Sequence, residues 1–329
     1  MKKVLVVDDD AESYRSFLEP RFQEIEFTFL DDPKDVEPYL IDTEVLISMC
    51  RWLEPEMVAG MKKLKWLQCT ITGTDHLHEA LSNSPEVILT SGRGIHGPQM
   101  TEITLLHMLA LYRQINRLSK NQGKHIWDRF LPKVLDTRKV AILGLGSIAE
   151  HMAGCFKALG MSVSGISRTS REVDGIEKVY PREQILEAVS DIDFLVILVP
   201  LSVDTEKIID AQVFDAMKDT ACIINVARGG VVDEAALIDA LREEKIAGAG
   251  LDVFEIEPLP MDSPLREMDD RVLLSAHVAA HNYGAGIGPG IEWATEDVLK
   301  ALKGQLPENV FNKEVIPRWR ERFEGRPAV

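Results

Sequence analysis

Three charged residues in the last third of the sequence could together bind an anion and transfer a proton. Arg228, Glu257 and His277 each follow a run of apolar residues typical of a buried strand. Charged groups at such strand ends lose hydration, which is costly unless a partner or a ligand compensates. A guanidinium can hold a carboxylate through two parallel hydrogen bonds, and an imidazole oriented by a carboxylate can protonate a neighbouring oxygen. The three side chains are therefore suited to hold an anionic substrate and to move a proton onto it.

A glycine-rich turn in the middle of the chain has the spacing of a dinucleotide-binding site. The residues Gly-Leu-Gly-Ser-Ile-Ala follow an apolar run, with Gly144 first and Ala149 last. Gly144 would make the tight turn, Gly146 would let a pyrophosphate approach the backbone, and Ala149 would let the next helix pack closely. The amides of Ser147 and Ile148 would point at the anion from the helix N-terminus. Because the motif follows a strand and opens a helix, it favours a dinucleotide site over an ordinary turn.

The end of the next strand predicts which dinucleotide binds. Sites for NAD usually carry an acid there, about 20 residues after the motif, to bind the ribose hydroxyls. This chain has hydroxyl residues and arginines instead, including Ser167, Arg168, Thr169 and Arg171. Such donors suit a 2′-phosphate, so NADP(H) is favoured and NAD(H) remains possible, with Arg168 as the principal contact. The alternative is that Arg168 and Arg171 are only exposed loop charges.

Strand-like runs alternate with helical stretches, which predicts an α/β fold with parallel sheets. In the first part of the chain, strands are predicted at residues 4–7, 27–30, 45–47, 67–71 and 87–89. From the glycine-rich motif onward, six strands are predicted, which is the inventory of a doubly wound nucleotide-binding sheet. They begin with the run before Gly144 and continue at residues 163–166, 194–199, 221–225, 248–253 and 272–275.

A helix that is apolar nearly all round follows Pro98, a residue well placed in the first turn of a helix. Such a helix is expected to be buried, between domains or against a second subunit. The predicted domains are therefore a substrate domain, residues 1–97 with 288–329, and a dinucleotide-binding domain, residues 98–287. The return of the chain end to the first domain is an expectation from split two-domain enzymes.

Composition excludes several function classes. The 329 residues carry 53 acidic and 37 basic side chains, a net charge of −16, which argues against nucleic acid or an anionic membrane as a partner. Three acids directly after the first apolar run argue against a signal peptide, and no run is long enough for a membrane helix. The four cysteines match no metal spacing, so no metal site is predicted, and reduced thiols in a cytoplasmic protein are expected.

Three motifs around the charged residues resemble signatures of the D-isomer-specific 2-hydroxyacid dehydrogenase family. They are Asn-Val-Ala-Arg-Gly-Gly around Arg228, Gly-Leu-Asp-Val-Phe shortly before Glu257, and His-Val-Ala starting at His277. The resemblance covers nearly the whole chain. It implies that Arg228 binds the substrate, that Glu257 is the acid paired with the histidine, and that His277 is the general acid and base. The implied reaction is reduction of a small 2-oxo acid to the D-2-hydroxy acid by NAD(P)H.

The same resemblance implies further site residues and an architecture. Asp252 would hold the nicotinamide carboxamide, Pro200 and Thr205 would line the cofactor, and the amides of Gly73 and Thr74 would take the substrate carboxylate. The implied fold has two Rossmann-like domains, one flavodoxin-like and one dinucleotide-binding, with the active site between them. A homodimer formed through the nucleotide domain is implied as well.

The sequence departs from the family motifs in two respects, and it leaves two alternative functions open. Ala276 stands where the family often has proline, and His281 is a rival proton donor four residues beyond His277. Loop composition and the NADP preference lean toward the glyoxylate/hydroxypyruvate reductase-like branch. The rivals are an NAD(P)-sensing corepressor-like protein with a vestigial site, and a phosphite-type dehydrogenase, which would keep the glutamate.

Overall fold

A computed structural model describes residues 3–49, 52–70, 77, 81, 87–92, 94, 96–168, 172–280 and 300. The chain divides into two compact units, one of which contains Met1–Ile95 while the other is His96–His281. The expectation that residues 288–329 return to the first domain concerns a part of the chain outside the described residues and stays a prediction.

The first unit is a five-stranded parallel sheet with the strand order β2-β1-β3-β4-β5. This order is that of flavodoxin-like folds, as expected for the first domain. Every strand predicted in this part of the chain is present. The strands are β1 Lys3–Val7, β2 Glu26–Leu30, β3 Val45–Ser48, β4 Trp66–Cys69 and β5 Ile88–Thr90. The described helices are α1 Ala11–Leu18 and α2 Pro55–Gly60, with 3₁₀ turns at Glu19–Arg21 and Pro33–Tyr39.

Both faces of this sheet are covered, which explains why its strands are continuous apolar runs. Successive residues of a strand point to opposite faces. Accordingly, Val4 and Val6 pack in one apolar cluster, and Leu5 and Val7 pack in another. Cys69, at the end of β4, is disulfide-bonded, so the expectation of reduced thiols is wrong for this residue. Thiol spacing along the chain gives no information on which strand ends meet in space.

The second unit is a seven-stranded parallel sheet with the order β12-β11-β10-β9-β6-β7-β8. This is the doubly wound order of dinucleotide-binding folds, extended by one strand, and it confirms the predicted class. Strands β6 and β9 are parallel neighbours, and the strand order reverses between them, where such folds bind their ligands. The strands are β6 Lys139–Leu143, β7 Ser162–Ser167, β8 Lys178–Pro181, β9 Phe194–Ile197, β10 Cys222–Asn225, β11 Gly248–Leu251 and β12 Val272–Leu274.

Helices separate the strands of the second unit. They are α3 Gly97–Arg113, α4 Ile115–Gly123, α5 Ser147–Ala158, α6 Ile185–Val189, α7 Ala211–Ala216 and α8 Glu234–Arg242, with 3₁₀ turns at Arg182–Gln184, Gly229–Val231 and Pro264–Glu267. Strand β8 was not predicted from the sequence. It lies at the edge of the sheet, and its sequence, Lys-Val-Tyr-Pro, lacks the apolar run that identified the other strands.

Helix α3 packs against α5 and β11, and one side of it is buried. A Cβ atom at Gly250 of β11 would lie 2.6 Å from the Cβ of His107, so glycine is needed for this close approach. The opposite side of α3 exposes Leu106 and Leu109, so in the part of the chain that the structure describes the helix is buried on one side only. Among the described residues, no helix is both long enough and apolar enough to cross a membrane.

Candidate active site

The glycine-rich motif forms a tight turn with open space beside it. Gly144 has φ +101°, and a Cβ there would lie 2.8 Å from a methyl carbon of Val199, so both backbone and packing require glycine. A Cβ at Gly146 would meet no atom of the described residues within 4 Å. Gly146 is also the N-cap of α5, whose first turn is not capped by a side chain. The uncapped amides of Ser147 and Ile148 and this free space fit the pyrophosphate of a dinucleotide.

A cavity of about 300 Å³ continues from this turn toward the ends of β7 and β8. Five predicted cofactor residues line it, namely Gly144, Ser167, Arg168, Pro200 and Thr205. Four residues that the sequence did not nominate line it as well, namely Arg182, Val199, Ser202 and Asp204. Thr169 and Arg171 lie outside the described residues, so their predicted contacts are not tested. The cavity wall thus combines hydroxyl groups with two arginines at the strand ends.

The hydroxyl of Thr205 shapes the wall of this cavity. Thr205 is buried, and its Oγ1 donates to the carbonyl of Pro200 at 2.6 Å. The same oxygen accepts a hydrogen bond from the amide of Ser202 at 2.8 Å. Both bonds lie within the segment from Pro200 to Thr205, so Thr205 fixes the conformation of the loop that lines the cavity. A sequence motif alone could not reveal these bonds.

Arg228 follows β10 on a loop held by Asn225. The Asn225 side chain donates to the carbonyl of Arg228 at 3.0 Å and accepts from the amide of Ala227 at 3.1 Å. The Arg228 guanidinium is partly buried and donates from Nη1 to the Ala227 carbonyl at 2.7 Å. At the next position, a Cβ on Gly229 would lie 1.8 Å from the carbonyl carbon of Phe254, so the two loops are in backbone contact.

Glu257 and His277 form a pair. The Nδ1 atom of His277 lies 2.7 Å from Oε2 of Glu257, and the other carboxylate oxygen accepts a hydrogen bond from the Phe254 amide at 3.0 Å. The His277 side chain is 49% exposed and that of Glu257 is 35% exposed. The bond at Nδ1 leaves Nε2 of the imidazole as the nitrogen that could meet a substrate. His277 also has φ 53°, in the left-handed region.

Asp252 anchors the loop that carries His277. Its side chain is fully buried, and its carboxylate accepts hydrogen bonds from the Ser275 hydroxyl at 2.5 Å and from the amides of Val278 at 3.0 Å and Ala279 at 2.9 Å. Its carbonyl accepts from the amide of His277 at 2.8 Å. Four hydrogen bonds therefore connect the end of β11 to the histidine loop, and three of them satisfy the buried carboxylate.

His107 extends this network into α3. Its Nε2 lies 3.1 Å from the Ser275 hydroxyl oxygen, which itself donates to Asp252. The imidazole must therefore donate from Nε2, and its Nδ1 is a buried acceptor without a partner among the described residues. Burial holds the pKa of His107 below its usual range, with Asp252 partly opposing the shift. His107 and Ser275 were not predicted, because residues so far apart in the chain share no motif.

Some predicted residues cannot be placed. Gly73, Thr74 and His281 lie outside the described residues, so their proposed roles are not tested. In the described ranges, no group of three or more His, Cys, Asp and Glu side chains is arranged to hold a metal ion. The residues that are described follow the carboxyl ends of neighbouring strands, since Arg228 follows β10, Asp252 and Glu257 follow β11, and His277 follows β12.

The comparisons with known proteins point to one family. The family model described as "D-isomer specific 2-hydroxyacid dehydrogenase, NAD binding domain" matches residues 105–279, more than half of the chain. The chain belongs to the D-isomer-specific 2-hydroxyacid dehydrogenase family. As a member of this dehydrogenase family, it is an NAD(P)-dependent oxidoreductase.

Individual relatives support the same family over most of the chain. A D-3-phosphoglycerate dehydrogenase of Methanocaldococcus jannaschii is 31% identical over 325 residues, 97% of this chain but only 61% of that protein. A glyoxylate reductase of Korarchaeum cryptofilum is 29% identical over 286 residues, 84% of each chain. The structure of an NADPH-dependent glyoxylate/hydroxypyruvate reductase from Sinorhizobium meliloti, in complex with NADP and sulfate, is similar with a TM-score of 0.82. The two sequences are 26% identical, and the match covers 96% of this chain and 99% of the other.

Proposed function

We propose that this dehydrogenase reduces a small 2-oxo acid to the D-2-hydroxy acid with NAD(P)H, and that His277 is the proton donor. The observation that carries the proposal is the 2.7 Å contact between His277 and Glu257 on a dinucleotide-binding sheet. An imidazole held by a carboxylate is a suitable general acid, provided that a carbonyl is reduced beside it. The nicotinamide supplies the hydride when it is bound.

The proposed mechanism assigns one task to each side chain. Arg228 binds the substrate carboxylate and its neighbouring carbonyl oxygen through the two arms of its guanidinium. His277 donates the proton on Nε2 to that oxygen as the carbonyl carbon is reduced. Glu257 holds Nδ1, orients the ring and stabilises its positive charge before the proton leaves. In the reverse direction, the neutral imidazole would take the proton from the hydroxyl group.

Asp252 is proposed to hold the nicotinamide carboxamide while it anchors the histidine loop. A carboxylate can accept about four hydrogen bonds. Oδ1 of Asp252 accepts from Ser275 and Val278, and Oδ2 accepts from Ala279. Among the described residues, Oδ2 has a single hydrogen-bond donor, which leaves one acceptor position for the amide of the carboxamide. One buried side chain would thus set the position of the cofactor ring relative to the proton donor.

The preferred cofactor is proposed to be NADP(H), with NAD(H) as a weaker alternative. The proposal is supported by Ser167 and Arg168, which line the cavity at the end of β7 where an acid would otherwise bind ribose hydroxyls. The similar Sinorhizobium enzyme is described as NADPH-dependent. Arg168 is exposed, as expected for a side chain that meets a phosphate at the rim of its site.

Glyoxylate and hydroxypyruvate are the proposed substrates. They are named for the Sinorhizobium enzyme, and glyoxylate is named for the Korarchaeum enzyme. The amides of Gly73 and Thr74 are proposed to take the substrate carboxylate together with Arg228. The phosphoglycerate dehydrogenase relative is the reason to include a phosphorylated acid in any test.

A corepressor-like protein with a vestigial site, or a phosphite-type dehydrogenase, is the alternative if no 2-oxo acid is reduced. The cytoplasm is the proposed location.

Reduction of a panel of 2-oxo acids tests the proposal. We expect NADPH oxidation with glyoxylate and hydroxypyruvate, slower oxidation with NADH, and little with 3-phosphohydroxypyruvate. The absorbance of the reduced cofactor at its near-ultraviolet maximum is the readout. Phosphite and NADP⁺ form the control for the phosphite-type alternative. Turnover with none of the 2-oxo acids, together with normal NADPH binding, would instead favour the corepressor-like alternative.

A homodimer is proposed from the apolar surface around α3 and α4. Leu106, Leu109, Ile115 and Leu118 are exposed on these helices, and Trp127 is 92% exposed in the segment that follows. Clustered exposed apolar side chains mark interaction surfaces in soluble proteins. Light scattering coupled to size exclusion should give about twice the 36.8 kDa chain mass. A Leu106→Glu, Leu109→Glu variant should run as the monomer, and a monomeric wild-type protein would contradict the proposal.

A further inference from the structure

We propose that Arg182 is a second arginine that binds the 2′-phosphate of the dinucleotide, beside Arg168. The inference deepens the proposed NADP(H) use and rests on it. Arg182 is the first residue of the 3₁₀ turn that directly follows β8. It lines the same cavity as Gly144, Ser167 and Arg168.

The strand register brings the two arginines to the same place. Strands β7 and β8 are parallel, and Ser167 pairs with Pro181. Arg168 directly follows β7 and Arg182 directly follows β8, so their backbones begin about one strand spacing apart, roughly 5 Å. Two guanidinium groups on such neighbouring positions repel each other, and an anion between them would remove that repulsion. The pair therefore forms a cationic edge on the cavity.

The Arg182 side chain carries a buried donor that lacks an acceptor. Its Nε has no hydrogen-bond partner among the described residues. Its Nη1 donates to the carbonyl oxygen of Asp204 at 3.4 Å, which keeps the guanidinium in the cavity wall. Native proteins rarely leave a buried donor unpaired unless water, an ion or a ligand completes it. A phosphate, with three strong acceptor oxygens, is the ligand group that suits this donor and the neighbouring Arg168.

A purely structural role makes a different prediction. If Arg182 only braced the loop through the Asp204 carbonyl, its loss would weaken every dinucleotide by the same factor. A contact with the 2′-phosphate affects NADP⁺ and spares NAD⁺, because the two molecules differ only in that group. The ratio of the two affinities therefore separates the roles.

Calorimetric titration of the full chain with NADP⁺ and with NAD⁺ is the test. Arg182→Gln should bind NADP⁺ about 10- to 100-fold more weakly, since a hydrogen bond to a charged group is lost, and should bind NAD⁺ with less than about a twofold change. Arg182→Lys should fall between, because it keeps the charge but not the planar fork. Arg168→Ala is measured alongside and should show the same selectivity for the phosphate.

Lys178→Gln is the matched control. Lys178 lies at the start of β8, and the change removes the same charge from a side chain that pairs with Glu187 and does not line the cavity. It should leave both affinities unchanged. Equal weakening of both dinucleotides by Arg182→Gln, an unchanged NADP⁺ affinity, or equal binding of both dinucleotides by the wild type would each overturn the proposal. No 2-oxo acid is present, so failure of the proposed reaction would leave a selective binding result standing.

Discussion

His277→Asn should lower kcat for 2-oxo acid reduction by about 10²- to 10⁴-fold, the usual contribution of a positioned general acid. The amide cannot supply the proton that the imidazole carries, although Glu257 remains in place. Asparagine is chosen because it tolerates the left-handed backbone of His277. NADPH affinity should change little, because the loop stays bonded to Asp252 through backbone amides. Steady-state rates and a fluorescence titration of NADPH give the two quantities.

His125→Asn is the matched control for that experiment. His125 is also a histidine with a left-handed backbone, φ 58°, and it is exposed just after the end of α4. Its replacement should leave kcat unchanged. If His277→Asn also retained near-normal turnover, the proton donor would have to be sought elsewhere. His281→Asn would then be the next variant, because it stands only four residues further along the chain.

Arg228→Gln should lower kcat/KM for the 2-oxo acid by about 10²- to 10³-fold. Two charge-assisted hydrogen bonds to the carboxylate are lost, each worth about 1.5–3 kcal/mol, and part of that energy returns as hydration. The effect should fall mainly on KM, since the substrate is no longer held, while NADPH binding persists. Initial rates over a range of glyoxylate concentrations measure both parameters.

Two further variants make the Arg228 result specific. Arg228→Lys keeps the charge but not the planar pair of donors, so it should recover only part of the loss. Arg242→Gln removes an equivalent charge at the exposed end of α8 and should have no effect. If Arg228→Gln melted at a much lower temperature than the wild type, the kinetic loss would report unfolding. A stable variant with unchanged KM would contradict the substrate-binding role.

The sheets were predictable because most of their strands are buried on both faces. Continuous apolar runs therefore identified β1 to β7 and β9 to β12, and the glycine-rich motif identified where the second sheet begins. Strand β8 was missed because its sequence, Lys-Val-Tyr-Pro, contains no continuous apolar run. Its absence from the predicted fold also hid Arg182, which reaches the cavity only because that strand pairs with β7.

The candidate site could be predicted from the sequence where its residues directly follow neighbouring strands. The Glu257–His277 contact joins two motifs that each follow a strand, so adjacent parallel strands bring them together. The His107–Ser275–Asp252 network connects a helix to a loop far along the chain, and no local pattern signals such a contact. The sequence motif contains both Pro200 and Thr205, but the bond between them depends on a loop conformation that spacing does not specify.

The backbone contact between Gly229 and Phe254 limits how this protein can diverge. No side chain fits at residue 229 unless the Phe254–Glu255 backbone moves away. A mutation there would shift the loop of Arg228 and the loop that leads to Glu257 at the same time. Amino-acid substitutions in these two loops are therefore expected to be coupled during evolution. Substitutions that change the substrate preference are then expected first outside these two loops, because a single substitution there does not displace both loops.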